Sequence, residues 1–324
     1  MPEAIRVHEH GGPEVLRWEE YDPGPAGPGE ARVRHTAIGV NFIDVYDRTG
    51  LYPTTLPSGL GREAAGVVEQ LGRKTRGLKI GERVAYTLAT PGSYAQYRNV
   101  PADRLVRIPR GVSDNQAAAM MLKGLTAQYL LRQIRRVKRG DAVLIHAAAG
   151  GVGLLACQWA RHLGAHVIGV VGSEEKAKIA RRNGCRQVIV GRDVDLAAAV
   201  RKLTRGAGVD VVYDGVGKDT FFASLDSLKP LGLMVSYGNA SGPVPAIAPL
   251  ELTRRGSLFL TRPTLFHYTA TRKALERAAR DLFAVVKSGA VKLHIGQSYP
   301  LRDAATAHRD LESRRTTGST ILLP

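Results

Sequence analysis

The sequence predicts an α/β protein in which a doubly wound parallel sheet is joined to a second, mainly β region. Three observations predict it. Beyond Gly140, apolar strands alternate with helical stretches of matching length, as βαβ crossovers require. A glycine-rich turn, LIHAAAGGVGLL at 144–155, joins the first of those strands to the first helix. Up to Val112, in contrast, short apolar runs alternate with clusters of Pro and Gly, the pattern of strands and tight turns.

Taken in order, EVLRWEEY, EARVRHTAIGV, AAGVVEQLG, GERVAY and SYAQYRNV read as strands. DPGPAGPGE, PSGLG and TPGS read as turns, and a helix is expected near NFIDVYDRTG. The period changes at Ser113, which suits an N-cap before the long apolar helix DNQAAAMMLKGLTAQYLLRQI. Strand DAVLIHA then leads to helix GGVGLLACQWARHLG, closed by Gly164, and strand AHVIGVV to helix SEEKAKIARRNG, closed by Gly184. QVIV, VDVVYDGV and LMVSYG are further strands, and VDLAAAVRKLTRG and TFFASLDSLKPLG further helices. The tail returns to mixed character, with helices at ALERAARDLFAVVKSG and AATAHRDLES, a strand at IGQSYPL and a closing strand STILLP. The expected plan is a nucleotide domain at 123–262 set into a partner built from 1–122 and 263–324.

Composition bounds the function. No apolar run approaches the roughly 20 residues of a membrane span, and the N-terminus MPEAIRVHEHGG lacks the basic and apolar regions of a signal peptide. Two cysteines, Cys157 and Cys185, build no disulfide framework and no metal-ligand spacing. Cytoplasm is therefore the expected compartment. The 46 Lys and Arg against 29 Asp and Glu give a formal charge of +17, a field that attracts anions. Because the cations are scattered, runs such as RQIRRVKRG read as solvated faces.

The glycine-rich turn carries the chemistry. Ala148 stands where the first glycine of a dinucleotide fingerprint would stand, and Gly150 and Gly153 keep the second and third. A side chain at 150 would hold a pyrophosphate off the backbone, and one at 153 would push helix from strand. The freed N–H groups at the helix start then bind phosphate. The second strand ends in Gly172-Ser173, with no acid at its tip to take ribose hydroxyls. Lys176 and Arg192 lie close by in sequence. A hydroxyl and two cations without a carboxylate suit the 2′-phosphate of NADPH.

Several further motifs, in order, identify a family. HGGPEVL (10–16), AIGVNFIDVYDRTGLYP (37–53), LPSGLGREAAGVV (56–68), LKGLTAQYLL (122–131), HAAAGGVGLLACQWA (146–160), VVYDGVG (211–217), GLMVSYGNASG (232–242), SLFLTRP (257–263) and LESRRTTGS (311–319) resemble, along the whole chain, the zinc-free, zeta-crystallin-like NADPH:quinone oxidoreductases of the medium-chain dehydrogenase/reductase superfamily. The resemblance implies a GroES-like β domain, a Rossmann domain, a cleft between them and a homodimer. It implies cofactor contacts at Asn41, Asp44, Thr126, Tyr129, Gly151, Val152, Ser173, Lys176, Val216, Tyr237, Gly238 and Arg314, and places a quinone near Asn41, Tyr46 and Tyr52. The pattern departs at Gly191, where relatives often carry a Tyr on the adenine ribose side; Arg192 follows it.

Where the superfamily's zinc enzymes keep His-Glu, this chain has Arg62-Glu63, and it has no Cys before Cys157, so no metal is expected. A quinone accepts electrons readily, so the protein's task is to orient the reactants, with Asn41 directing ribose or substrate and Tyr46 and Tyr52 offering walls and hydroxyls. Two other readings stand beside this one. The same fold and cofactor serve reduction of an enone or alkenal double bond. The +17 charge, with the RNA binding known in the zeta-crystallin group, suits an RNA-binding protein.

Overall fold

Parallel strands need helical crossovers, and the chain supplies them from Ala142 onward. The structure, a computed structural model, describes residues 1–191 and 194–324. It divides into two units: Met1–Leu125 with Thr269–Lys287 and Leu293–Pro324, and Thr126–Tyr268 with Ser288–Lys292.

The second unit is a six-stranded sheet, parallel throughout, in the order Gln187–Val190, His166–Val171, Ala142–Ile145, Val209–Asp214, Leu228–Ser236, Phe259–Thr261. Numbered along the chain this is 3-2-1-4-5-6, the order that reverses between strands one and four and opens a crevice at their carboxyl ends. Helix Gly151–His162 ends at Gly164 and helix Glu174–Arg182 at Gly184, both glycines with positive φ. Only glycine enters that conformation at low cost, so it is the usual stop after a helix. Leu144, Ile168, Val212, Phe221 and Met234 meet in the core of this unit.

One stretch departs from expectation. TFFASLDSLKPLG is helical only at Phe221–Asp226, and the chain then enters strand Leu228–Ser236. Pro230 has no N–H and its ring clashes inside a helix, so the helix must stop before it. The short strand Phe259–Thr261 at the sheet's edge and helix Leu250–Arg254 carry no clear periodic signal.

The first unit is mainly β. A seven-stranded sheet runs Ile295–Pro300, Ser319–Leu323, Glu30–Val40, Glu63–Leu71, Arg83–Thr87, Val106–Arg107, with Tyr97–Pro101 also paired to Glu30–Val40. A three-stranded sheet places Glu3–Val7, a strand absent from the sequence reading, between Leu16–Glu20 and Ser58–Gly59. Ile5, Val33, Ile38, Val68, Tyr86, Tyr94 and Leu322 share its core. Helix Phe42–Arg48 follows the long central strand, and helix Asp114–Tyr129 begins where Ser113 and Gln116 exchange hydrogen bonds as a capping box. Among the described residues no helix is long and apolar enough to cross a membrane.

The glycine-rich turn tests its own logic. A Cβ at Gly153 would overlap the carbonyl oxygen of Ala147, the residue that turns the chain with φ 49°. Gly153→Ala is expected to destabilise the protein by about 1–3 kcal/mol, the usual range for overpacking, and urea unfolding measures it.

Candidate active site

In the second unit the predicted nucleotide residues cluster at the carboxyl ends of the strands. Gly150 is the N-cap of helix Gly151–His162, so the N–H groups of Gly151, Val152 and Gly153 open its first turn. A Cβ at Gly150 would press on the Ala147 carbonyl oxygen at 3.2 Å, whereas one at Gly172 would meet nothing within 4 Å, so Gly172 leaves open space beside the backbone and Gly150 keeps the turn tight. Ser173 caps helix Glu174–Arg182, its hydroxyl accepting from the Lys176 N–H at 3.4 Å. Glu174 and Glu175 form the first turn of that helix, where carboxylates complement its dipole, and do not extend the strand tip. Gly191 follows strand Gln187–Val190 with φ 118°. Arg192 lies outside the described residues.

At the adjacent strand ends, Asp214 organises the turn that carries Val216. Its Oδ1 accepts from the N–H groups of Val216 at 2.8 Å and Gly217 at 3.1 Å. Its Oδ2 accepts from the hydroxyls of Thr220 at 2.7 Å and Ser224 at 2.9 Å. Ser224 in turn meets His146 Nε2 at 2.8 Å, and burial keeps that imidazole below its ordinary pKa, hence neutral. Tyr237 lies over Gly215, where a Cβ would come within 2.9 Å of its ring, and a Cβ at Gly238 would overlap the Gly215 carbonyl. Val216, Tyr237 and Gly238 are therefore neighbours. Thr126 is buried, and Tyr129 stacks on Tyr268 at 4.7 Å between ring centroids. Sequence reasoning passes over Asp214, Ser224, His146 and Tyr268, which support the predicted positions.

Asn41, Asp44, Tyr46, Tyr52 and Arg314 belong to the first unit. Asn41 is the N-cap of helix Phe42–Arg48 and forms a capping box with Asp44, whose carboxylate accepts from the Asn41 N–H at 2.8 Å. The Asn41 side-chain Nδ2 donates to Glu63 Oε1 at 2.8 Å. Tyr46 packs edge-on to Tyr52, with centroids 5.2 Å apart. Arg314 sits in the turn after helix Ala304–Glu312 with φ 60°.

Beneath that cap runs a buried chain of hydrogen bonds. Asp44 Oδ2 also accepts from the Tyr94 hydroxyl at 3.0 Å. Tyr94 meets His308 Nε2 at 3.1 Å, and His308 Nδ1 meets Arg48 at 2.9 Å. A guanidinium only donates, so His308 accepts at Nδ1 and donates from Nε2 to Tyr94. Arg48 also holds Glu312 through both carboxylate oxygens, at 2.7 and 2.9 Å. Burial, with the charge of Asp47 adding to it, lifts Asp44 to about 7; its Oδ1 has no partner among the described residues. Burial beside Arg48 lowers His308 to about 3, and burial lowers His35 to about 4.

With this geometry in view, known proteins are informative. Residues 27–110 match the alcohol dehydrogenase GroES-like domain and 151–284 the zinc-binding dehydrogenase family. A quinone oxidoreductase of Pseudomonas aeruginosa is 50% identical over 325 residues, covering 100% of both chains. The chain belongs to the quinone oxidoreductase family. The crystal structure of Escherichia coli quinone oxidoreductase complexed with NADPH superposes with a TM-score of 0.97 at 48% identity, covering 99% of this chain and 100% of that one. A 2-haloacrylate reductase of a Burkholderia species is 48% identical over 100% of this chain and 99% of its own.

Zinc, which the second family's name implies, does not fit the donors of this quinone oxidoreductase family member. Arg62 is spent on Asp47, pairing at 2.6 and 2.7 Å, and Glu63 on Asn41, Lys123 and a backbone N–H. Cys157 and Cys185 face each other in the core of the second unit. Among the described residues no group of three His, Cys, Asp or Glu could hold a metal ion.

The buried histidines and Asp44 make stability depend on pH in opposite senses. His308 and His35 bind protons in the unfolded chain below about 6.5 but stay neutral in the fold, so stability is lost as pH falls from 6.5 toward 4. Asp44 stays protonated in the fold up to about 7, so its contribution falls as pH rises from 4 to 7. His308→Gln should reduce the slope of stability against pH between 4.5 and 6 by about one proton, about 1.4 kcal/mol per pH unit, and Asp44→Asn should increase it by the same amount. Urea midpoints across that range check both.

Proposed function

We propose that the chain is an NADPH-dependent reductase that delivers electrons from the nicotinamide to a quinone. The observation that carries this is the glycine turn at the sheet's switch point, next to a second strand that ends in Gly172-Ser173 without a carboxylate. The side-chain-free backbone at Gly150 and the open space beside Gly172 fit a pyrophosphate against the helix start, and Ser173 and Lys176 fit a 2′-phosphate. Bound NADPH supplies the reducing electrons. Thr126, Tyr129, Gly150 to Gly153, Gly172, Ser173, Lys176, Arg192, Val216, Tyr237 and Gly238 are the proposed cofactor residues of the second unit. Asn41, Asp44 and Arg314 are those of the first, with Asp44 acting through its hold on Asn41. Tyr46 and Tyr52 wall a flat ring, and Asn41 meets its oxygen. The names and structures of the relatives support this reading.

A second reading, reduction of an activated double bond, is favoured by the 2-haloacrylate reductase relative. The assay that separates the two is NADPH and NADH oxidation with 1,4-benzoquinone and with crotonaldehyde, each with and without EDTA. The expected result is fast turnover of NADPH with the quinone, unaffected by chelator and at least tenfold slower with NADH or with the enone. Preference for crotonaldehyde would favour the second reading.

The protein is also proposed to be a homodimer. Strand Phe259–Thr261 closes one edge of the parallel sheet, and Phe259 and Leu260 on it are 60% and 37% exposed. An apolar edge strand is a template for another chain unless covered, and a two-fold axis lets the same edge cover its copy. Phe259→Lys should shift the protein from dimer to monomer in sedimentation equilibrium; a monomeric wild type overturns the proposal.

A further inference from the structure

Glu63 has no exposed surface, and Lys123 is 5% exposed. Glu63 Oε1 accepts from Lys123 Nζ at 2.7 Å and from Asn41 Nδ2 at 2.8 Å, and Oε2 accepts from the Leu122 N–H at 2.6 Å. The fold makes room for this carboxylate at Gly39, where a Cβ would overlap Glu63 Oε1 and the Ala118 carbonyl. Strands Glu30–Val40 and Glu63–Leu71, the cap of helix Phe42–Arg48 and helix Asp114–Tyr129 thus converge on one ion pair. A buried ion pair is a weak source of stability, since apolar residues of similar volume often serve as well. Its effect on its neighbour is more specific.

We propose that Glu63 and Lys123 are a positioning pair that holds the Asn41 amide as a hydrogen-bond donor to the oxygen of the substrate. The inference rests on the reading above that a quinone lies at Asn41. A primary amide has two orientations of nearly the same shape, and only the polarity of its partners selects one. A carboxylate beside an ammonium is an acceptor and cannot donate, so only the Asn41 NH₂ meets Glu63. The capping box turns the other end of the amide toward the first turn of its helix. One amide hydrogen is then spent on Glu63, and the second is left for a ligand. A quinone presents acceptor oxygens alone, and these gain negative charge as electrons arrive. A donor fixed in advance binds that oxygen more strongly as the charge grows, so it acts on kcat more than on KM.

The test uses the full-length protein, with kcat and KM for 1,4-benzoquinone at saturating NADPH and NADPH affinity from nicotinamide fluorescence. In E63Q/K123M the Leu122 N–H still demands an acceptor, so the carbonyl oxygen of the substituted side chain stays there and its NH₂ faces Asn41, which no longer finds an acceptor. No unpaired charge is left buried. The expected result, read at NADPH concentrations that saturate each variant, is a 10- to 100-fold fall in kcat with the quinone KM within about threefold of wild type, matching the cost of losing one fixed donor. Asn41→Ala, with the pair intact, should fall as far, and the triple variant should be no slower than Asn41→Ala within about threefold, since one route is lost in both. Glu63→Asp, which keeps the ion pair but withdraws the carboxylate from Asn41, gives the same reading if the double variant does not fold. Wild-type kcat in E63Q/K123M or Glu63→Asp, or losses that multiply in the triple variant, would overturn the inference alone. A wild-type protein that binds NADPH but reduces no quinone would overturn the functional reading and this inference with it.

Discussion

Three carboxylates, those of Asp44, Asp47 and Glu63, are buried in the first unit, and the arrangement around helix Phe42–Arg48 follows from how each is satisfied. An isolated charge taken out of water costs far more than one hydrogen bond returns, so each acid needs a cation or several donors. Asp47 takes the fork of Arg62, a bidentate match that fixes the guanidinium plane. Glu63 takes Lys123, Asn41 and a helix N–H. Asp44 has donors but, among the described residues, no cation in contact, and burial leaves it holding its proton to about 7. The same short helix therefore sits on one paired acid at Asp47 and one half-protonated acid at Asp44. Asn41, between Asp44 and Glu63, is held by both.

In the second unit the constraint is steric rather than electrostatic. Close approach of a ligand to the backbone requires that side chains be absent at particular places and that the surrounding turns be rigid without them. Gly172 leaves the space and Gly150 keeps its turn free of a side chain that would press on the Ala147 carbonyl, while Asp214 supplies the rigidity by tying two N–H groups and two hydroxyls to one carboxylate. The Asp214 carboxylate has no exposed surface, and all four of those contacts satisfy it within the turn.

How much of this is legible in the sequence follows the same division. The parallel sheet, its helices and its stops at Gly164 and Gly184 are readable because they depend on local period and on positive φ, which glycine advertises. Gly150, Gly153 and the missing acid after Val171 are readable because a backbone-binding turn is a contiguous motif. The end of helix Phe221–Asp226 departs from the periodic reading although Pro230 is in plain sight, because the apolar spacing of FFASLDSL outweighs one proline in a pattern of that length. The Glu63–Lys123–Asn41 cluster is only half visible. Arg62-Glu63 draws notice as a departure from a metal pair, but Lys123 lies 60 residues away on another element, and nothing in LKGLT signals a buried ammonium. His308 likewise looks like one polar residue of a surface helix. Its partners Tyr94 and Arg48 are 214 and 260 residues distant, so no local pattern contains the chain.

The surplus of basic residues has a different physical meaning in each part of the molecule. Arg48, Arg62 and Lys123, the buried cations, each face a carboxylate at 2.6–2.7 Å, so they add nothing to the outward field. The formal +17 therefore resides on the exposed surface, where charges are scattered and screened beyond about 10 Å at ordinary salt. Such a field raises the local concentration of any anion, a phosphorylated nucleotide or a polynucleotide alike, and discriminates poorly between them. Discrimination needs groups fixed in direction. In the cofactor site proposed above those are the helix N–H groups at Gly151 to Gly153 and the capped end at Ser173, which are oriented by the backbone whatever the surface charge. On that proposal attraction and recognition are carried by separate sets of residues, and changing the surface charge should alter how fast an anion arrives more than which anion is kept.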